Sequence, residues 1–209
     1  MKRLLLILFA LAPTWAIAQN KVLIDEMTAD DQIVFADATD YDANVAAAND
    51  LGGQDVQLDL TDFASDDWWQ STKADFGTDW SRRYVVIASM EFATAPVAGE
   101  TIDFFWSASY SSTAANANMA FTSGTDGSYD GYGAASADAE EASKQLIFLG
   151  SLVLTADDPA DDAHIGFVGV FTPPLRYGSL VVHNNTSDAL ATDANEMAIA
   201  FYPITDEIQ

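Results

Sequence analysis

The stretch Tyr84-Val85-Val86-Ile87-Ala88-Ser89-Met90-Glu91-Phe92 places Tyr84, Val86, Ala88, Met90 and Phe92 on one side, with Val85 and Ile87 opposite. Successive side chains of an extended chain point to opposite faces, so a period of two marks a strand. Apolar residues on both faces mark this strand as a central one. Pro96 to Gly99 breaks the chain, after which Ile102, Phe104, Trp106 and Ala108 resume the alternation. Residues 84–109 therefore predict a strand, a short connection and a second strand.

Outward from this pair the same period recurs. Upstream, Val56, Leu58 and Leu60 alternate with Asp55, Gln57, Asp59 and Thr61, the pattern of a strand with one face in water, and Gln32 to Phe35 forms a shorter run. Downstream, Gln145 to Thr155 puts Leu146, Phe148, Leu152 and Leu154 on a common face. Ile165 to Phe171 is a compact apolar segment ended by Pro173 and Pro174. Leu180 to His183 precedes a turn through Asn184, Asn185, Thr186 and Ser187. Met197, Ile199 and Phe201 alternate in a last strand closed by Pro203. No window of 12 residues carries a helical stripe. About eight short strands joined by Asp, Gly and Pro turns predict an all-β fold, an antiparallel β-sandwich of jelly-roll type with one long loop.

Two segments fall outside this pattern. Ala64 to Trp80 carries Trp68, Trp69, Phe76 and Trp80 among Asp and Ser, and is expected to be partly helical. Tyr110 to Lys144 is dominated by Ala, Ser, Gly, Asn and Asp, and far exceeds a hairpin loop of about two to five residues. It is expected to contact a partner through Met119, Phe121, Tyr129 and Tyr132, mobile in a monomer and ordered in an assembly.

The 209 residues suit one domain and include 49% hydrophobic residues, too many for a disordered chain. Eight Lys and Arg face 32 Asp and Glu, for a formal net charge of -24. That balance argues against nucleic acid, whose phosphates require clustered cations, and against an anionic membrane. The acidity is 25 Asp against 7 Glu, mostly between apolar runs, which is turn chemistry first. The chain has no cysteine, so thiol catalysis, thiolate metal sites and disulfides are excluded.

No residue set identifies a catalytic centre, a cofactor site or a metal site. His164 and His183 have no partner at zinc-ligand spacing, and no Gly-x-Ser-x-Gly turn presents a serine nucleophile. Asp126-Gly127-Ser128-Tyr129-Asp130-Gly131 matches the opening of a calcium loop, but its twelfth position is Ala137 where a bidentate Glu belongs. Asp157, Asp158, Asp161 and Asp162 surround Pro159 as a second oxygen-rich turn. Trp68, Trp69 and Trp80, assisted by Tyr110, Tyr129 and Tyr132, are candidates either for stacking on sugars or for filling the sandwich edge. Arg82-Arg83 is a basic pair suited to an internal ion pair or a subunit contact.

Residues 1–18 read as a secretory signal peptide: Met1-Lys2-Arg3, then the apolar run Leu4 to Ala12, then Ala16-Ile17-Ala18 before Gln19. Met27 is an alternative start. Residues 19–209 form the expected domain, with no membrane segment in the mature form.

Several ordered motifs carry a resemblance. Gln32-Ile33-Val34-Phe35-Ala36-Asp37, then Glu91-Phe92-Ala93-Thr94-Ala95-Pro96-Val97-Ala98-Gly99-Glu100-Thr101, resemble small virion-associated proteins of tailed bacteriophages. So do Gln145-Leu146-Ile147-Phe148-Leu149-Gly150 and Pro174-Leu175-Arg176-Tyr177-Gly178-Ser179-Leu180-Val181-Val182. The resemblance spans residues 30 to 206. It implies a non-enzymatic β-sandwich, capsid-associated or otherwise structural, that assembles into or decorates a virion as a homo-oligomer or with other virion proteins. The alternative expectation is an exported carbohydrate-binding or adhesive module, secreted or periplasmic, with a glycan as its partner.

Overall fold

The computed structural model describes residues 32–42, 51–133, 136–155 and 162–204. The proposed signal peptide, Met27, Asp157, Asp158 and Asp161 lie outside the described residues. Eleven strands form two sheets: β1 (Ile33–Ala36), β2 (Val56–Gln57), β3 (Trp68–Gln70), β4 (Ala74–Asp75), β5 (Tyr84–Met90), β6 (Thr101–Ser109), β7 (Gly127–Ser128), β8 (Ile147–Val153), β9 (His164–Phe171), β10 (Tyr177–Asn185) and β11 (Ala198–Pro203). The first sheet runs β2-β1-β11-β5-β9 and the second β7-β3-β10-β6-β8, with β4 beside β10.

Eight of these strands form four antiparallel pairs: β1 with β11, β3 with β10, β5 with β9, and β6 with β8. Numbered one to eight along the chain, they pair one with eight, two with seven, three with six, four with five. A long double ribbon wrapped over itself gives this order, and it is the jelly roll. The strands β2, β4 and β7 are two-residue additions. The predicted strand at 55–61 keeps its alternation, with Val56, Leu58 and Leu60 buried, but only Val56 and Gln57 join a ladder, parallel to β1.

The core lies between the sheets. Tyr84, Val86, Ala88 and Met90 face it from the first sheet, and Ile102, Phe104, Trp106 and Ala108 from the second. Phe35, Phe76, Phe171 and Phe201 pack around the Trp106 indole with centroids 5.2–6.3 Å away. Gly178 permits that placement, since a Cβ there would lie 2.3 Å from the indole ring.

On β8 the expected core face holds for Leu152 and Leu154 but fails before them, at Leu146 and Phe148. Leu149, not Phe148, points inward, and Phe148 is 57% exposed. The ladder with β6 shifts between Phe104 and Phe105, so one extra residue sits on β8 and reverses the sides. Gly150 sits at the shift with φ 148°, backbone that only glycine adopts readily. A matching shift occurs in β9, between the partners of Val86 and Ile87. Here β8 and β9, edge strands of different sheets, close one side of the sandwich. A Cβ on Gly150 would lie 2.1 Å from the Val168 carbonyl oxygen, and one on Gly169 would lie 2.3 Å from that of Leu149.

The segment at 64–80 contains no helix. It holds β3 and β4, both paired with β10 and separated by Ser71 to Lys73. At that break Ser71 remains on β10, where its N–H donates to the Leu180 carbonyl and its Oγ accepts from the Leu180 N–H at 3.0 Å. Thr72 turns away to Gln57.

Candidate functional site

The described part of the long segment after β6 carries defined structure and packs as a cap on the outer face of the second sheet. It contains a 3-10 turn (Met119–Phe121), β7 and α1 (Ser136–Ser143). Tyr129, Ala139 and Ala142 cover the outward side chains Trp68 and Val181, with Phe105 and Leu146 alongside. The buried Tyr129 hydroxyl donates to the Ala120 carbonyl at 2.7 Å, and burial pushes its pKa upward. Lys73 ties down the first part of the cap. Its Nζ donates to Ser109 Oγ and to the carbonyls of Ser111, Thr113 and Asn116 at 2.6–3.0 Å. Burial lowers the Lys73 pKa.

Asp126, the first residue of the calcium-like motif, is an acceptor for protein donors. It takes Trp69 Nε1–H at 3.0 Å, the Asp59 N–H at 3.2 Å and Gln57 Nε2–H at 3.3 Å. Burial nevertheless raises its pKa, and the nearby Asp59 carboxylate adds to the rise. Asp126 is half-buried and Asp130 exposed. Among the described residues no group of three or more His, Asp and Glu is placed to hold a metal ion. Asp162 is exposed at the start of the chain leading into β9.

Across the outer face of the second sheet the register aligns Ser151, Asp103, His183 and Trp68 on four neighbouring strands. The His183 ring stacks on Trp68 with centroids 4.0 Å apart and planes 8° from parallel. Its Nε2 is 3.4 Å from Asp66 Oδ1, and its Nδ1 4.0 Å from Asp103 Oδ2. Burial depresses the His183 pKa against the opposing pull of Asp66, Asp103 and Glu140. Ser151 Oγ donates to Asp103 at 2.5 Å. A serine nucleophile requires the imidazole between itself and the carboxylate. Here the carboxylate sits between serine and imidazole, so the His183 ring is not at the Ser151 oxygen and the order is not that of a Ser-His-Asp triad.

The tryptophans proposed for sugar stacking are dispersed. Trp68 is buried under His183 and beside Tyr129, and Trp69 packs toward the core against Phe63. Trp80 is exposed, in the connection between β4 and β5. Of the three tyrosines Tyr129 is buried, while Tyr110 and Tyr132 are exposed. Arg82 and Arg83 are exposed. A bidentate ion pair of Arg176 with Asp75, at 2.5 and 2.7 Å, ties β4 to the start of β10.

Two exposed features stand out, of which the sequence reading had named the residues of the second only. One is the set of exposed apolar side chains on the two strands that close the sandwich: Phe148 and Val153 on β8, Phe167 and Val170 on β9. Its only local signal is apolar residues on both faces of β8 and β9, which also describes a strand buried on both sides. The other is Phe121 beside Tyr132 on the cap, with ring centroids 4.3 Å apart. No family model matches the chain, and no curated protein matches it.

Proposed function

We propose that the chain is a non-enzymatic structural protein of a virus particle, a bacteriophage virion or capsid-associated β-sandwich that works as a homo-oligomer or with other virion proteins. The observation that supports it is the apolar edge. Phe148, Val153, Phe167 and Val170 are each more than half exposed on two adjacent strands. Large apolar side chains left exposed in number suit a surface that another protein covers. The jelly-roll order adds support by analogy of fold, since that wrap recurs in capsid domains, and in lectins as well. The negative charge is compatible with assembly when salt screens repulsion between copies.

The test is particle composition. Mass spectrometry of purified particles from a virus expressing this chain should detect it, and its absence sinks the proposal. Phe148→Asp and Phe167→Asp should reduce incorporation while leaving the monomer folded, because both side chains are already in water.

A further inference from the structure

The outer face of the first sheet differs from that of the second, where Tyr129 and α1 cover Trp68 and Val181. By register Val85 and Ile87 of β5 stand beside Val170 and Phe167 of β9, and Tyr202 of β11 stands beside Val85. Alternation sets them opposite the core residues Val86, Ala88 and Phe201. Phe167 is 63% exposed and Val170 53%. No Asp, Glu, Lys or Arg occurs within β5, β9 or β11, on a chain whose net charge is -24. Charge stands at the two ends of this face, and its sign is opposite. Arg82 and Arg83, both exposed, lead into β5. Both neighbours run antiparallel to β5, so the starts of β9 and β11 lie at its far end. There the exposed Asp162 precedes β9, and the half-buried Glu196 precedes β11.

The apolar middle of the face suits a protein cover, and its charged ends select which protein. A uniformly acidic partner is repelled at Asp162 and Glu196, and a uniformly basic one at Arg82 and Arg83. A second copy matches both ends. Sheets packed face to face lie about 10 Å apart with their strands roughly aligned. A two-fold axis across the strands turns the second copy's β5 antiparallel to the first, so each arginine end meets an acidic end and the contact is self-complementary. We propose that the outer face of the first sheet is the contact of an isologous dimer. The two copies pack through Val85, Ile87, Phe167 and Val170, with the Arg82-Arg83 end of each against the Asp162 and Glu196 end of the other. The dimer rests on the structural reading above and names the cover of Phe167 and Val170 as a second copy. Phe148 is not part of it, since its ring packs 5.2 Å from that of Phe105, on the outer face of the second sheet.

Sedimentation equilibrium of the purified chain reads the association, in about 0.15 M salt to screen the net charge. Expected is a reversible dimer with a Kd of micromolar order, because the strands β11, β5 and β9 make a contact smaller than the roughly 800 Å² per copy of a standard interface. Phe167→Asp should raise the Kd at least about tenfold, and Phe148→Asp should leave it unchanged. Two charge-reversed chains, one with Arg82→Asp and Arg83→Asp, the other with Asp162→Lys and Glu196→Lys, should each dimerise more weakly alone. Mixed in equal amounts they should associate at least as tightly as the parent, since one is then acidic at both ends and the other basic at both. A chain that has merely unfolded is not rescued by mixing. The proposal is overturned if the chain stays monomeric up to about 300 μM, if Phe167→Asp dimerises like the parent, or if mixing restores nothing. A monomer found in purified particles overturns the dimer alone, and a dimer absent from them overturns the virion reading alone.

Discussion

Between the sheets, Phe104, Trp106 and Phe201 are sealed from solvent by other apolar side chains. Over the second sheet, the described residues of 110–146 bury only Ala120, Tyr129, Ala139 and Ala142 among their apolar side chains. The cap is held by directed bonds instead: the Lys73 ammonium on three carbonyls, the Tyr129 hydroxyl on Ala120, and Asn118 across the turn. Apolar burial is non-directional and tolerant of sequence detail. A cap built from hydrogen bonds depends on particular atoms in particular places, and each bond is worth little net. The two regions should therefore fail differently.

The largest effect belongs to the core. Val86→Asp or Met90→Asp buries an unpaired charge and should cost several kcal/mol, roughly 4 or more, which removes most of the stability of a domain this size. Urea denaturation measures it, and unchanged stability would contradict the central position of β5. Gly150→Val should come next, at about 2–3 kcal/mol, because its Cβ meets the Val168 carbonyl and its φ of 148° suits glycine alone. Its loss should appear first as faster hydrogen exchange in β8 and β9, where the sandwich closes.

Lys73→Met separates the two regions most cleanly. It should cost about 1–3 kcal/mol, with exchange protection falling in residues 109–118 while β5 and β6 keep theirs. Equal loss in both would mean that cap and core unfold as one unit. Phe121→Gly is expected to stabilise, by up to about 1 kcal/mol, since the folded chain already requires φ 63° there.

The smallest effect is one of pH. The folded state holds the His183 pKa below its ordinary value, so the unfolded chain binds this proton more readily. Stability from a neutral His183 is complete above the ordinary histidine pKa, and is lost as pH falls from there through the folded value. His183→Gln should flatten that acid-side slope in thermal melts. NMR of the ring should show titration below the usual histidine range. For Asp126 the sign reverses: its raised pKa means that stability declines as pH rises from the ordinary carboxylate value through the folded one. Asp126→Asn keeps an acceptor for Trp69 Nε1–H and the Asp59 N–H, and should remove that decline.

The period of two at Val56-Leu58-Leu60, Tyr84 to Met90, Ile102 to Ala108 and Met197-Ile199-Phe201 determined by itself which face is core, and for Tyr84 to Met90 and Ile102 to Ala108 also which residues are strand. Alternation is a local property, imposed by backbone geometry on every extended segment. The pairing of first with last and the inward wrap came only with the tertiary structure, because ladders join residues far apart in sequence. Apolar residues on both faces of β8 left its orientation open, and the one-residue shift at Gly150 decided it against the simple pattern. Trp68 could equally have faced water, until Tyr129 and α1, more than sixty residues downstream in a segment without periodicity, closed over it. A cap held by single hydrogen bonds leaves no repeating signature in its sequence, since each bond depends on where the chain has already folded.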